Sequence, residues 1–246
     1  LVGSKYHQIE QKSLHSLEAK HFVSPVDQVS MRENIIASKL ALRVQSSLMR
    51  PALFMVVPTL RCDHDCHYCQ VSRVTVNKKG YDLEETHIAG ILEHIDFLSD
   101  SHIKIEFQGG EPLLNFSFIK KFFDAAKTKL KEKHVEFVIA TALGPINNEM
   151  LEWIELNNVH LSVSFDGPED IHSNNRPSKK FNSYENTVDN VRLINKYFTG
   201  VNVSLLSTIT KQSLQQPKQI VDSYLELGES NLFIRPLSPY GFATNT

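Results

Sequence analysis

Cysteine is scarce in this chain of 246 residues: there are three, all between Cys62 and Cys69. An odd number so tightly spaced cannot build a disulfide framework. An excess of one charge is also lacking. The 26 Lys and Arg nearly balance 28 Asp and Glu, for a formal net charge of −2. Nothing here offers the basic face that a nucleic acid or an anionic membrane would favour. No apolar run approaches the roughly 20 residues needed to span a bilayer, and the most hydrophobic stretch, Pro51 to Leu60, reads as a buried strand. The opening Leu1-Val2-Gly3-Ser4 has neither an initiator Met nor a signal-peptide pattern. The end, Ala243-Thr244-Asn245-Thr246, has no tail-like composition, so the sequence reads as an excerpt from a longer protein. Repeats and low-complexity segments are absent too.

What is present suits one sizeable globular core. The apolar fraction is 41% and the charged fraction 22%, both ordinary for a folded domain of this length. Residues 1–50 are polar and helix-leaning and read as a lead-in segment, with a core domain over 51–246. In that domain, short apolar runs alternate with helical periodicity. The runs are Leu53 to Val57, Ile103 to Phe107, Val135 to Ala140, Val159 to Phe165, Val201 to Ile209 and Leu232 to Ile234. Between them, apolar residues recur at helical spacing: Ile88, Ile91, Leu92, Ile95 and Leu98; then Phe118, Ile119, Phe122, Phe123 and Ala126; then Met150, Leu151 and Ile154. Tyr184, Val188, Val191 and Ile194 follow, and finally Ile220, Val221, Tyr224 and Leu225. Strands alternating with single helices predict right-handed crossovers and an α/β fold with a parallel sheet. Six units are too few for an eight-stranded barrel and suit an open partial barrel or a doubly wound sheet. In either, ligands gather at the carboxyl ends of the strands.

The segment Arg61-Cys62-Asp63-His64-Asp65-Cys66-His67-Tyr68-Cys69 follows the first strand and has the form Cys-x3-Cys-x2-Cys. Three thiolates on one loop can cap three irons of a cubane cluster and leave the fourth open to a small molecule. A structural zinc site completed by His64 or His67 is the competing reading. Structural zinc sites usually draw ligands from two separated pairs, and no second pair exists here. Clustered thiols without partners elsewhere also indicate a reducing compartment, the cytoplasm.

Three further strand ends carry polar motifs. Gln108-Gly109-Gly110-Glu111-Pro112 follows the second strand, Thr141-Ala142-Leu143-Gly144 the third, and Ser164-Phe165-Asp166-Gly167-Pro168 the fourth, with His172 and Arg176 beyond. Glycines permit close backbone approach, and Glu111 can accept bonds from an ammonium group.

With Tyr68 as the aromatic before the last Cys, the cysteine loop resembles the signature of the radical S-adenosylmethionine superfamily. The glycine segment resembles that superfamily's Gly-Gly-Glu-Pro. The Ser-x-Asp-Gly-Pro…His…Arg pattern resembles its peptide-modifying, SPASM-type branch, which includes anaerobic sulfatase-maturating enzymes. Wording around the cysteines is also similar to maturases of the His-Xaa-Ser system. The resemblance spans roughly residues 50 to 240 and implies a partial (β/α)6 barrel. It implies a 4Fe-4S cluster on Cys62, Cys66 and Cys69. It further implies S-adenosyl-L-methionine bound near Tyr68, by Gly109, Gly110 and Glu111 at its amino group, by Ser164 and Arg176, and by Leu237 at the adenine. Arg suits a carboxylate by fork geometry. Implied partners are a peptide or protein substrate and an electron donor such as flavodoxin or ferredoxin; a small-molecule substrate is the alternative. Ala142 and Leu143 depart from the Thr-Asn-Gly common among relatives, which weakens that segment. The Cys-rich extension and the catalytic acid or base of the branch have no counterpart here and would lie beyond Thr246.

Overall fold

The computed structural model describes residues 11–20, 22–47 and 51–245. The chain divides into two compact units, Leu1–Pro51 and Ala52–Thr246. In the first, helices α1 (Gln11–Ala19) and α2 (Val29–Ser47) are tied by Arg32, whose Nη1 donates to the Glu18 carbonyl at 2.8 Å. Among the described residues, no helix is long and apolar enough to cross a membrane.

The second unit follows the alternation seen in the sequence. Its strands are β1 (Leu53–Thr59), the short β2 (Arg61–Cys62) and β3 (Val74–Thr75), β4 (His102–Gly109), β5 (His134–Thr141), β6 (His160–Ser164), β7 (Val203–Ile209) and β8 (Phe233–Pro236). The connecting helices are α3 (Ile88–Leu98), α4 (Phe116–Lys129), α5 (Asn148–Leu156), α6 (Glu169–Asn175), α7 (Ser183–Tyr197) and α8 (Pro217–Glu226). Six strands form one parallel sheet in the order β1-β4-β5-β6-β7-β8. The order never reverses. Crossovers of one hand then place every helix on the same face, which excludes a doubly wound sheet and leaves a partial barrel.

Burial follows that one-sidedness. In β4 the residues Ile103, Ile105 and Phe107 are buried while Lys104 and Glu106 are not. The buried set meets α3 and α4 in one core: Leu92, Ile95, Ile119, Phe122 and Phe123, with Phe107 edge-on to Phe122 at 5.5 Å. Helix α8 corrects one expectation. Ile220 and Tyr224 face the core, whereas Val221 and Leu225 are exposed, being 100° round the helix from them. Asn147 and Asn182 cap α5 and α7 through their side chains, as short polar N-caps do.

Candidate functional site

The cysteine loop leaves β1 at the carboxyl end of the sheet, and its stem is fixed before the first thiol. Asp82 receives Arg61 through two bonds of 2.7 and 2.8 Å, and Thr59 at 2.5 Å. Arg61 also donates to the carbonyls of Val76 and Leu114. Farther along, Asp65 N–H donates to the Pro177 carbonyl at 2.7 Å, and His67 N–H to Asn175 at 3.2 Å. The loop is thus tied to β3, to the turn after β4, and to the segment after α6.

Gly109 and Gly110 are required for a reason the sequence did not display. The stem backbone crosses directly over them, with Gly110 N–H donating to Thr59 at 2.9 Å and Glu111 N–H to Arg61 at 2.7 Å. A Cβ on Gly110 would stand 2.2 Å from the Arg61 carbonyl oxygen, and one on Gly109 2.3 Å from that of Thr59. The glycine pair therefore brings the cysteine loop down onto the end of β4.

Glu111 is buried and joins neighbouring strand ends. Its carboxylate accepts from Thr141 Oγ1 at 2.7 Å, from Ala142 N–H at 2.9 Å and from Leu113 N–H at 3.1 Å. Burial first, and the nearby Asp63 second, push its pKa up to about 7. The Thr-Ala-Leu-Gly segment thus contributes a hydroxyl and a backbone N–H to Glu111, for which Ala142 and Leu143 need no polar side chain.

Asp166 is a hub that the sequence showed only as one member of the Ser-x-Asp-Gly-Pro pattern. It is fully buried and accepts from Tyr68 Oη, Asn175 at 3.2 Å, Arg176 Nε at 3.2 Å and Nη2 at 3.4 Å, and Thr208 N–H at 3.0 Å. The Arg176 guanidinium lies 5.2 Å from the Tyr68 ring centroid, within cation–π range. Burial opposes its charge, but Asp166 holds its pKa above the usual value. Burial likewise raises the Tyr68 hydroxyl, so Tyr68 serves here as a neutral donor.

These parts converge on one cavity of about 200 Å³. Its walls include Cys62, Cys66, Cys69, Tyr68, Gly109, Gly110, Glu111, Ser164 and Arg176. Leu237 stands apart, half-buried beyond β8, and the cavity takes Arg235 from that strand. Sequence reading had not singled out Arg73, whose Nε is buried at this wall without a partner, nor Thr208.

The donor set distinguishes the two metal readings. All three thiols are free. Burial pushes the Cys66 thiol up to about 11, and Cys62 higher still, so deprotonation needs a cationic centre beside them. Zinc needs a fourth ligand, yet His64 uses both nitrogens, Nδ1 on Asp63 at 2.7 Å and Nε2 on Ser183 at 3.1 Å. His67 is exposed and outside the cavity wall. Three thiolates around an open space fit an iron–sulfur cluster with one uncapped iron.

Residues 56–223 match the family described as the radical SAM superfamily. An uncharacterised protein of Methanocaldococcus jannaschii is 27% identical over 74% of this chain and 61% of its own length. A cysteine-type anaerobic sulfatase-maturating enzyme of Clostridium novyi is 24% identical over 68% of this chain and 44% of its own. Among solved structures, native anSMEcpe with bound AdoMet superposes with a TM-score of 0.66 at 19% identity, covering 76% of this chain and 52% of that one. Streptococcus suis SuiB bound to precursor peptide SuiA gives 0.61 at 16% identity, covering 93% and 51%. The chain thus spans about half the length of these structural neighbours.

Proposed function

This chain belongs to the radical S-adenosylmethionine superfamily, whose cofactors are a 4Fe-4S cluster and S-adenosylmethionine, and from that premise we propose that its cavity generates a radical used to modify a ribosomally made peptide or protein. Bound together, cluster and cofactor would supply radical chemistry capable of taking hydrogen from a substrate. Everything else falls to the protein, which binds, orients and excludes competing reactions.

Cys62, Cys66 and Cys69 would hold the cluster. Gly109 and Gly110 present backbone at the cavity wall, and Glu111 places a buried carboxylate beside it, suited to an ammonium group. Arg176 uses Nε and Nη2 on Asp166, which leaves its Nη1 edge for a carboxylate. Ser164 offers a hydroxyl from the end of β6. Tyr68 acts through Asp166 and Arg176, as their support from beneath.

The observation that carries this reading is the convergence of three free thiols, a buried Glu and a buried Arg on one cavity at the strand ends. The peptide substrate is supported by the sulfatase-maturating relative and by the SuiA-bound neighbour. An electron donor of the flavodoxin or ferredoxin kind and a cytoplasmic setting accord with a cluster on reduced thiols. The test is an anaerobic preparation, expected to be brown, to absorb near about 400 nm, and to cleave S-adenosylmethionine under dithionite. Cys66→Ala should lose colour and cleavage while keeping its circular dichroism. A colourless protein with one zinc, or cleavage retained in Cys66→Ala, overturns the assignment. Co-expression with neighbouring short open reading frames, followed by mass spectrometry, tests the peptide.

A further inference from the structure

Two buried histidines lie outside the roles assigned so far, His64 inside the cysteine loop and His172 on α6. They meet through one hydroxyl. Ser183 Oγ, at the start of α7, is 3.0 Å from His172 Nε2 and 3.1 Å from His64 Nε2. The other ring nitrogens end on the two halves of the site: His172 Nδ1 accepts from Asp166 N–H at 3.3 Å, and His64 Nδ1 is 2.7 Å from Asp63 Oδ1.

Hydrogen counting gives this chain a direction. A backbone N–H can only donate, so His172 Nδ1 is an acceptor and the ring carries its proton on Nε2. Burial, which lowers the His172 pKa to about 3, agrees with a neutral ring. His172 Nε2–H then donates to Ser183 Oγ, whose hydroxyl also meets His64 Nε2, and His64 Nδ1 in turn contacts Asp63 Oδ1. The Asp63 carboxylate is thereby aimed. A carboxylate oxygen, a His64 ring nitrogen and Cys62 Sγ all lie within 4.8 Å of one another. From the other side the carboxylate is walled by Gly144, where a Cβ would stand 1.8 Å from Oδ2. An alanine there would push the carboxylate from this position. The Asp63 side chain is 5% exposed, so water screens its charge poorly.

We propose that Asp63, aimed by the His64–Ser183–His172 chain and seated against Gly144, holds a fixed negative charge beside the Cys62 ligand and lowers the reduction potential of the cluster. An electron added to the cluster would be repelled by that carboxylate, so the oxidised form is favoured. His64 and Ser183 are positioning residues in this scheme, and Asp63 supplies the charge. The inference rests on the cluster assignment above.

The test is a potentiometric titration of the cluster-loaded chain, followed by electron paramagnetic resonance, with iron and sulfide counted for each variant. Asp63→Asn keeps size and an acceptor for His64 but removes the charge. At a fixed potential its ratio of reduced to oxidised cluster should rise at least tenfold, which is about 59 mV for one electron. Gly144→Ala and Ser183→Ala, which unseat the carboxylate without neutralising it, should move the ratio the same way by less, and Ser183→Thr should restore it. Variants that load a full cluster yet titrate with the parent overturn the proposal. If Asp63→Asn fails to load, Ser183→Ala and Gly144→Ala decide the matter, since a merely structural chain would change iron content or stability and leave the potential in place. A parent chain that binds no cluster refutes the functional reading instead, so the two failures are distinguishable.

Discussion

Asp166 and Arg176 offer the sharpest test of how the site is held. The carboxylate is fully buried and the Arg176 side chain only 9% exposed. Breaking such a pair from one side leaves the other charge uncompensated, at a cost of about 3–5 kcal/mol. Asp166→Asn should fall in that range. Its amide can face only some of the donors that now converge on the carboxylate, from Tyr68, Asn175, Arg176 and the Thr208 backbone. With a urea slope of about 3 kcal/mol/M, the unfolding midpoint should drop by roughly 1–1.7 M. Arg176→Gln should cost a similar amount by leaving Asp166 charged. The double variant removes both charges, and its cost should fall short of the sum by about 1–3 kcal/mol, the coupling usual for contacting groups. Urea titration followed by circular dichroism on parent, single and double variants completes the cycle. Costs that simply add, or an Asp166→Asn midpoint within about 0.3 M of the parent, would refute the argument that this pair is a coupled, desolvated unit.

Gly110→Ala drives a Cβ to 2.2 Å from the Arg61 carbonyl oxygen. It should lower the Tm by roughly 5–10 °C, given a cost of about 2–3 kcal/mol for strain at such a site and about 2–4 °C per kcal/mol at this size. Differential scanning calorimetry checks it, and an unchanged Tm would mean the stem can lift. Glu111 makes stability pH-dependent. Its folded pKa of about 7 exceeds the ordinary 4.5, so the folded state binds the proton more tightly. That contribution is full below about pH 4.5 and is lost as pH rises through 7, on the order of 3 kcal/mol in all. Denaturant titrations from pH 5 to 8 should show the parent declining more steeply than Glu111→Gln, and parallel curves would contradict the shift.

Much of the fold could be read in the sequence because its strands and helices have separate periods. Leu53 to Val57 and Ile103 to Phe107 announce strands, and Phe118 to Ala126 keeps a clear helical stripe. The first run is not buried as its apolarity suggests, because β1 is the edge strand and leaves Leu53, Met55 and Val57 exposed while Val56 is buried. The topology needed more. Periodicity alone left a doubly wound sheet open, and only the strand order closed that option. Strands β2 and β3 have two residues each, too few for any period to show. In the site, the cysteines and the Gly-Gly-Glu segment were visible because each is a compact run whose own spacing carries the pattern. Asp166 was not, since Tyr68 lies 98 residues away and nothing local marks an Asp before a Gly as a hub. The place of His64 in the site is equally invisible in the sequence, its link to Ser183 spanning 119 residues. The glycines were seen, but with a ligand in mind; their nearest neighbour is the chain's own stem.

One consequence of the single-sided sheet concerns how such a protein can change. Along β4 the odd-numbered Ile103, Ile105 and Phe107 are locked into the helix layer, while the even-numbered Glu106 and Gln108 line the cavity. A like division runs through β6 and β7, where Ser162, Ser164, Leu206 and Thr208 reach the cavity between neighbours that do not, while at the end of β5 both Ala140 and Thr141 reach it. Each strand therefore carries two interleaved messages, one spelling the scaffold and one the chemistry. Substitutions in the second can accumulate without eroding the first, so a lineage could rewrite what its radical meets one even-numbered β4 position at a time.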